Sequence, residues 1–148
     1  MSKTWYFGNQ SDTEHAGVPF WKMDLEGAAP LDALWQLAKP LCEAAAGRAL
    51  RVARQYANGH TYGLGGQAHV DDTQEGCFTL LYYPMPAWQT DWEGETFFYN
   101  QFGQIISAIL PTSNRAVLFD SRIPHAGRAP ARRCGHLRVT VAFKLVPA

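Results

Sequence analysis

The chain has 148 residues, of which 47% are hydrophobic and 18% charged; its 13 basic and 13 acidic side chains cancel. That is the length of one domain with apolar content sufficient for a core, which excludes a disordered chain. Zero net charge gives no long-range field that would favour nucleic acid or an anionic membrane, and no segment approaches the ~20 continuous apolar residues of a membrane span.

Residues 1–27 are aromatic and glycine-containing without a clear period. They predict an N-terminal arm with strands around 5–7 and 20–23, and no signal peptide. Residues 28–47 predict a covering helix. Pro30 opens it, Leu31, Leu34, Trp35, Ala38, Leu41 and Ala45 recur at helical spacing, and Gly47 suits its end. Pro40 should kink this helix or split it in two.

From residue 48 to 148 the pattern changes to short strand-like runs. They fall at 49–56, 68–71, 77–83, 95–98, 105–109, 116–119 and 137–145, with Gly, Pro, Asn and Asp between them. Many short strands plus one or two covering helices predict a mainly β fold, a double-sheet jelly roll or double-stranded β-helix. No internal repeat, low-complexity tract or linker interrupts it, so one domain spans 1–148. Three cysteines, Cys42, Cys77 and Cys134, lack C-x-x-C spacing. Their odd number argues for reduced thiols and a cytoplasmic setting.

Chemistry concentrates in His69-Val70-Asp71 and the later His125. On a strand, residues i and i+2 project to one side, so His69 and Asp71 would converge and a histidine from another strand could close the set. Two histidines and one carboxylate can hold Fe(II) on one face and leave other positions open. Pro124 fixes a backbone angle just before His125 and limits where the imidazole points. Asp120 reads as a turn former. Arg138 lies within an apolar run. Its same-face neighbours are His136, Thr140 and Ala142, while Leu137, Val139, Val141, Phe143 and Leu145 form a wholly apolar face suited to packing beneath the helix. A buried arginine is costly without an anion, and its guanidinium fork matches a carboxylate. His15, His60 and His136 are spare histidines, His136 being the rival ligand because it shares a face with Arg138. Arg122, Arg128, Arg132 and Arg133 surround His125 in sequence; they read either as a solvated loop or as an anchor for an anionic substrate group.

The ordered set Tyr56, His69-x-Asp71, Tyr82-Tyr83, Trp88, Gly94-Glu95-Thr96, His125 and Arg138 resembles the iron(II)- and 2-oxoglutarate-dependent dioxygenases, most of all their prolyl 4-hydroxylase-like branch. The resemblance covers about residues 51–143. It implies that His69, Asp71 and His125 bind Fe(II) and form the catalytic centre, and that Arg138 pairs with the far carboxylate of 2-oxoglutarate. Tyr83 and Tyr56 match positions that reach the same cosubstrate, although a one-residue slip would exchange Tyr83 for Tyr82. It further implies O2 as co-reactant, ascorbate as an in vitro aid, and succinate and CO2 as coproducts. The substrate would be a small molecule or an amino-acid residue of a partner, hydroxylated at an unactivated C–H. Related halogenases lack the carboxylate, so Asp71 favours hydroxylation. The chain departs from the family pattern at Glu93-Gly94, where a glycine pair is usual, at Pro84-Met85 after the tyrosine pair, and in the long basic stretch between His125 and Arg138. The other class that fits the histidines is a cupin-like metal-binding jelly roll, an isomerase or ligand-binding module with no use for 2-oxoglutarate. Arg138 is the residue that discriminates between the two.

Overall fold

A computed structural model describes residues 3–9 and 17–148. Two antiparallel sheets face each other. The larger contains β1 (Tyr6–Asn9), β2 (Phe20–Asp24), β3 (Leu50–His60), β4 (Phe78–Tyr83), β7 (Arg115–Asp120) and β9 (Arg138–Pro147), in the order β1-β2-β3-β9-β4-β7. The smaller contains β5 (Thr96–Tyr99), β6 (Ile105–Ile109) and β8 (His125–Gly127), in the order β6-β5-β8. The double-sheet jelly roll expected from the strand spacing is therefore present, with one helix, α1 (Ala29–Ala46), laid on the larger sheet.

Strand alternation sorts the larger sheet into two chemically different faces. Val141, Phe143 and Leu145 of β9, Leu80 of β4 and Ala57 of β3 pack under Trp35 and Cys42 of the helix. The opposite face carries Arg138, Thr140, Ala142 and Lys144 of β9 beside Tyr56, Asn58 and His60 of β3. The apolar face predicted for β9 packs beneath the helix, and the polar face borders a cavity between the sheets.

Four expectations need correction. The helix is continuous through Pro40, whose side is exposed, so the carbonyl it leaves without a partner faces solvent. The buried stripe follows Trp35, Ala38, Cys42 and Ala46; Leu41 is 76% exposed, because a 3.6-residue period carries the face past it. Residues 68–71 do not form a strand. His69 makes only an isolated antiparallel bridge with His125, and Asp71 is tied by its N–H to the Ser121 carbonyl at 2.9 Å. Finally, β3 runs on to His60 rather than stopping at Tyr56, and the arm strands β1 and β2 complete the edge of the larger sheet.

Candidate metal centre

The connection from β3 to β4 brings His69 and Asp71 against β8. The backbone N–H of His69 donates to the His125 carbonyl at 3.0 Å, and the N–H of His125 returns the bond at 2.9 Å. This reciprocal pair sets the two imidazoles side by side, with ring centroids 4.6 Å apart. Asp71 lies between them. Its Oδ1 is 3.3 Å from His69 Nε2 and its Oδ2 is 3.4 Å from His125 Nε2. One donor atom from each of the three side chains falls within 4.8 Å of the others, and among the described residues this is the cluster that could hold a metal ion.

Hydrogen bonding fixes which nitrogen of each ring faces inward. Nδ1 of His69 lies 2.9 Å from the Gln67 carbonyl, and Nδ1 of His125 lies 3.0 Å from the Ile123 carbonyl. A carbonyl only accepts, so both Nδ1 atoms donate, and in a neutral ring the lone pair sits on Nε2. Burial against Phe98 and Phe119 lowers the His125 pKa to about 4, more than the nearby Asp71 carboxylate restores, so this ring is neutral at pH 7. A lone pair aimed at a carboxylate is repulsive unless a cation lies between them. The donor set, its tautomers and its spacing thus fit a divalent metal.

Asp71 is held ionised. Burial alone would raise its pKa, but the contacts with His69 and with the Lys144 ammonium outweigh that and keep the carboxyl far below its usual range. Its Oδ2 accepts from Thr79 Oγ1 at 2.7 Å and forms a salt bridge with Lys144. Thr79 is fully buried and fixes the carboxylate from below.

At the other end of the cavity Arg138 is wholly buried. Its Nε donates to the Gly94 carbonyl, its Nη2 to Thr96 Oγ1 at 2.9 Å and its Nη1 to His60 Nδ1 at 3.1 Å. All three partners are neutral. Burial lowers the guanidinium pKa to about 10, which still leaves it charged at pH 7. Gly94 has φ of 81°, and a Cβ there would stand 3.1 Å from Arg138 Cδ, so the close approach of this turn needs glycine.

Of the tyrosines, Tyr56 lines the cavity. Tyr83 is fully buried behind it, its hydroxyl 2.8 Å from Thr96 Oγ1 and its ring 5.9 Å from the Arg138 guanidinium. Tyr82 projects to the helix side and donates to Asn114. His136 does not join the cluster; it is exposed and its ring lies 4.9 Å from Trp92. It precedes β9, so strand alternation does not extend to it. The arginines around His125 do not converge: Arg122 pairs with Asp120, Arg133 with Asp91, and Arg128 lies over Phe97. Asp120 is the expected turn former, capping the Arg122 N–H at 2.9 Å. His15 lies outside the described residues.

Sequence reading did not single out His60, Thr79 or Lys144 for the site. Lys144 was legible, because it continues the even-numbered face of β9 past Ala142. His60 was hidden by ending β3 four residues early.

Comparison with known proteins decides the family. A model of the 2OG-Fe(II) oxygenase superfamily matches residues 54–143, more than half of the chain. The chain belongs to that superfamily. Members use Fe(II), 2-oxoglutarate and O2, and this oxygenase is a 2-oxoglutarate-dependent non-haem iron enzyme. Among solved structures, a Pseudomonas putida prolyl-4-hydroxylase superposes with TM-score 0.66 at 15% identity, covering 93% of this chain and 76% of the other. A 2OG-Fe(II) oxygenase family oxidoreductase from Burkholderia pseudomallei gives 0.71 at 10% identity, covering 99% and 73%. The viral collagen prolyl hydroxylase of Paramecium Bursaria Chlorella virus-1, solved with 2OG, gives 0.59 at 10% identity, covering 97% and 78%. These likenesses are likenesses of fold. No curated protein matches the chain by sequence at a significant level. No helix among the described residues is long and apolar enough to cross a membrane.

Proposed function

We propose that this oxygenase hydroxylates an unactivated C–H of a small molecule or of an amino-acid residue, releasing succinate and CO2. The reading rests on one observation above all. Arg138 is a fully buried cation whose three hydrogen-bond partners are neutral, and it borders the same cavity as the His-Asp-His cluster. A buried charge without a counter-ion costs several kcal/mol, on the order of a protein's whole stability, unless an anion completes it. A dicarboxylic acid is such an anion. Glu95 favours the charged guanidinium from a distance but forms no salt bridge with it among the described residues, so a cupin-like module would leave the cation without an anion in contact.

The geometry supports a set of roles. His69, Asp71 and His125 would hold the iron, and the carbonyls of Gln67 and Ile123 hold the two rings in the ligating tautomer. Arg138 would grip the far carboxylate, with Thr96 and His60 keeping the guanidinium in place. Tyr83 would act behind them by orienting Thr96, and Tyr56 would border the bound dicarboxylate from the cavity wall. Bound Fe(II) supplies the O2 chemistry that couples 2-oxoglutarate decarboxylation to C–H oxidation. The cavity that Arg138 shares with the cluster is where the dicarboxylate would lie. Lys144 lines the same cavity, and a metal on Asp71 would take its salt-bridge partner. The three buried thiols are free, in keeping with a reducing, cytoplasmic setting.

The test is turnover without substrate. Protein given Fe(II), ascorbate and 2-oxoglutarate should form succinate slowly, and His69→Ala and Asp71→Ala should abolish it. Equal succinate from both variants would remove the assignment.

A further inference from the structure

One group of charges has no part in holding iron or 2-oxoglutarate. Three cations converge on the ring of Tyr56. Arg54 Cζ is 4.7 Å, Lys22 Nζ 5.1 Å and Lys144 Nζ 5.7 Å from its centroid. They come from three adjacent strands. Arg54 and Lys144 are directly opposed in the β3–β9 register, and β2 places Lys22 beside Asn58 on the same face. Like charges directly opposed across a strand pair are destabilising. Lys22 is nevertheless only 6% exposed, and its salt-bridge partner, Asp24, is largely in solvent. Arg54 has no ion-pair partner among the described residues, and Lys144 has only Asp71.

We propose that Lys22, Arg54 and Lys144 form an oxyanion-binding subsite around Tyr56, and that the hydroxylated substrate carries a carboxylate or phosphate-like group which docks there. The proposal rests on the oxygenase reading above. A divalent ion, Asp71, Arg138 and a dianionic cosubstrate neutralise one another. When the ion takes Asp71, Lys144 is left without a counter-charge, beside Arg54, which is solvent-exposed and has no ion-pair partner among the described residues. The ammonium released from the carboxylate stays within reach of the metal cluster, because Lys144 lines the same cavity. An anionic substrate group bound between Lys144 and Arg54 would therefore anchor the molecule next to the reacting centre. The Tyr56 ring would supply an apolar wall that strengthens the charge-assisted bonds. Lys22 would contribute field rather than contact, since Asp24 already pairs with it.

Paramagnetic relaxation tests this without turnover. Protein is loaded anaerobically with Mn(II) in place of iron and saturated with 2-oxoglutarate, and binding of both is measured first. The probes are 13C-labelled acetate and methylphosphonate, against the neutral esters methyl acetate and dimethyl methylphosphonate; whichever acid binds more tightly tells a carboxylate from a phosphate-like group. At least one acid should show metal-enhanced relaxation that saturates with concentration. Its apparent affinity should fall about tenfold in Arg54→Gln/Lys144→Gln, with no saturable effect from the esters. No saturable relaxation by either acid, equal relaxation by ester and acid, or equal affinity in the double variant would each overturn the subsite. The last outcome would make Lys144 a plain partner of Asp71. If the native protein binds neither Mn(II) nor 2-oxoglutarate, the oxygenase reading itself fails and the subsite falls with it.

Discussion

Lys144 and Asp71 hold opposite consequences for the protein with and without metal. Asp71 is nearly buried, and the ammonium is its charged partner. Lys144→Met should lower the stability of the metal-free protein by about 1–3 kcal/mol, since a buried carboxylate loses a charged partner. The same change should tighten Mn(II) binding, because the ion no longer competes with the ammonium for Oδ2. Chemical denaturation and a metal titration read the two effects, and a variant that weakens metal binding would contradict the assignment. His125 gives a second prediction. Its pKa in the fold is about 4, below the ordinary 6.5, so the unfolded chain takes up the proton first as pH falls. Stability is fully present above about pH 6.5 and is lost between there and about pH 4, by on the order of 3 kcal/mol from this group. Thermal melts of metal-free protein at pH 7 and pH 4.5 should differ in that direction; a higher melting temperature at pH 4.5 would be inconsistent with a neutral buried ring. The histidines and the aspartate were legible as residues because H-x-D spacing and a later histidine are local signals. Their mutual geometry was not, because it depends on a backbone bridge between residues 69 and 125.

At the scale of elements, the turn before β5 stores strain. Glu93 has φ of 55° and ψ of −141°, a region that side chains rarely occupy, and it stands where the family usually has glycine. Trp88 Nε1 donates to its carbonyl at 2.8 Å and helps hold it there. Glu93→Gly should raise stability by about 1 kcal/mol, within the cost of that conformation, as measured by denaturant midpoint; a loss of stability would show that the side chain is needed. The sequence exposed this departure but not its backbone consequence. Thr96 ties β5 to β9 by receiving Arg138 and meeting Tyr83. Thr96→Val keeps the volume and leaves both polar groups unpaired, which should cost about 1–3 kcal/mol and weaken 2-oxoglutarate binding. Unchanged affinity in a titration would remove Thr96 from the cosubstrate pocket. Alternation predicted both faces of β9 because its apolar and polar sets are clean. The 68–71 segment is no strand because its pairing with β8 is confined to the His69–His125 bridge, after which Asp71 bonds to the Ser121 carbonyl instead.

Across the molecule, strand spacing and one amphipathic helix were enough to indicate two packed sheets. The order β3-β9-β4, which puts Arg138, Tyr56 and Lys144 around one cavity, was not legible, because such pairings join residues some 80 positions apart. Ferrous ion and 2-oxoglutarate would have to bind together in that cavity. Anaerobic addition of 2-oxoglutarate to the Fe(II)-loaded protein should produce a visible charge-transfer absorption, present in the native protein and in Glu93→Gly, and absent in the double variant His69→Ala/His125→Ala. A native protein that takes up Fe(II) yet shows no such band at saturating 2-oxoglutarate would contradict such joint binding.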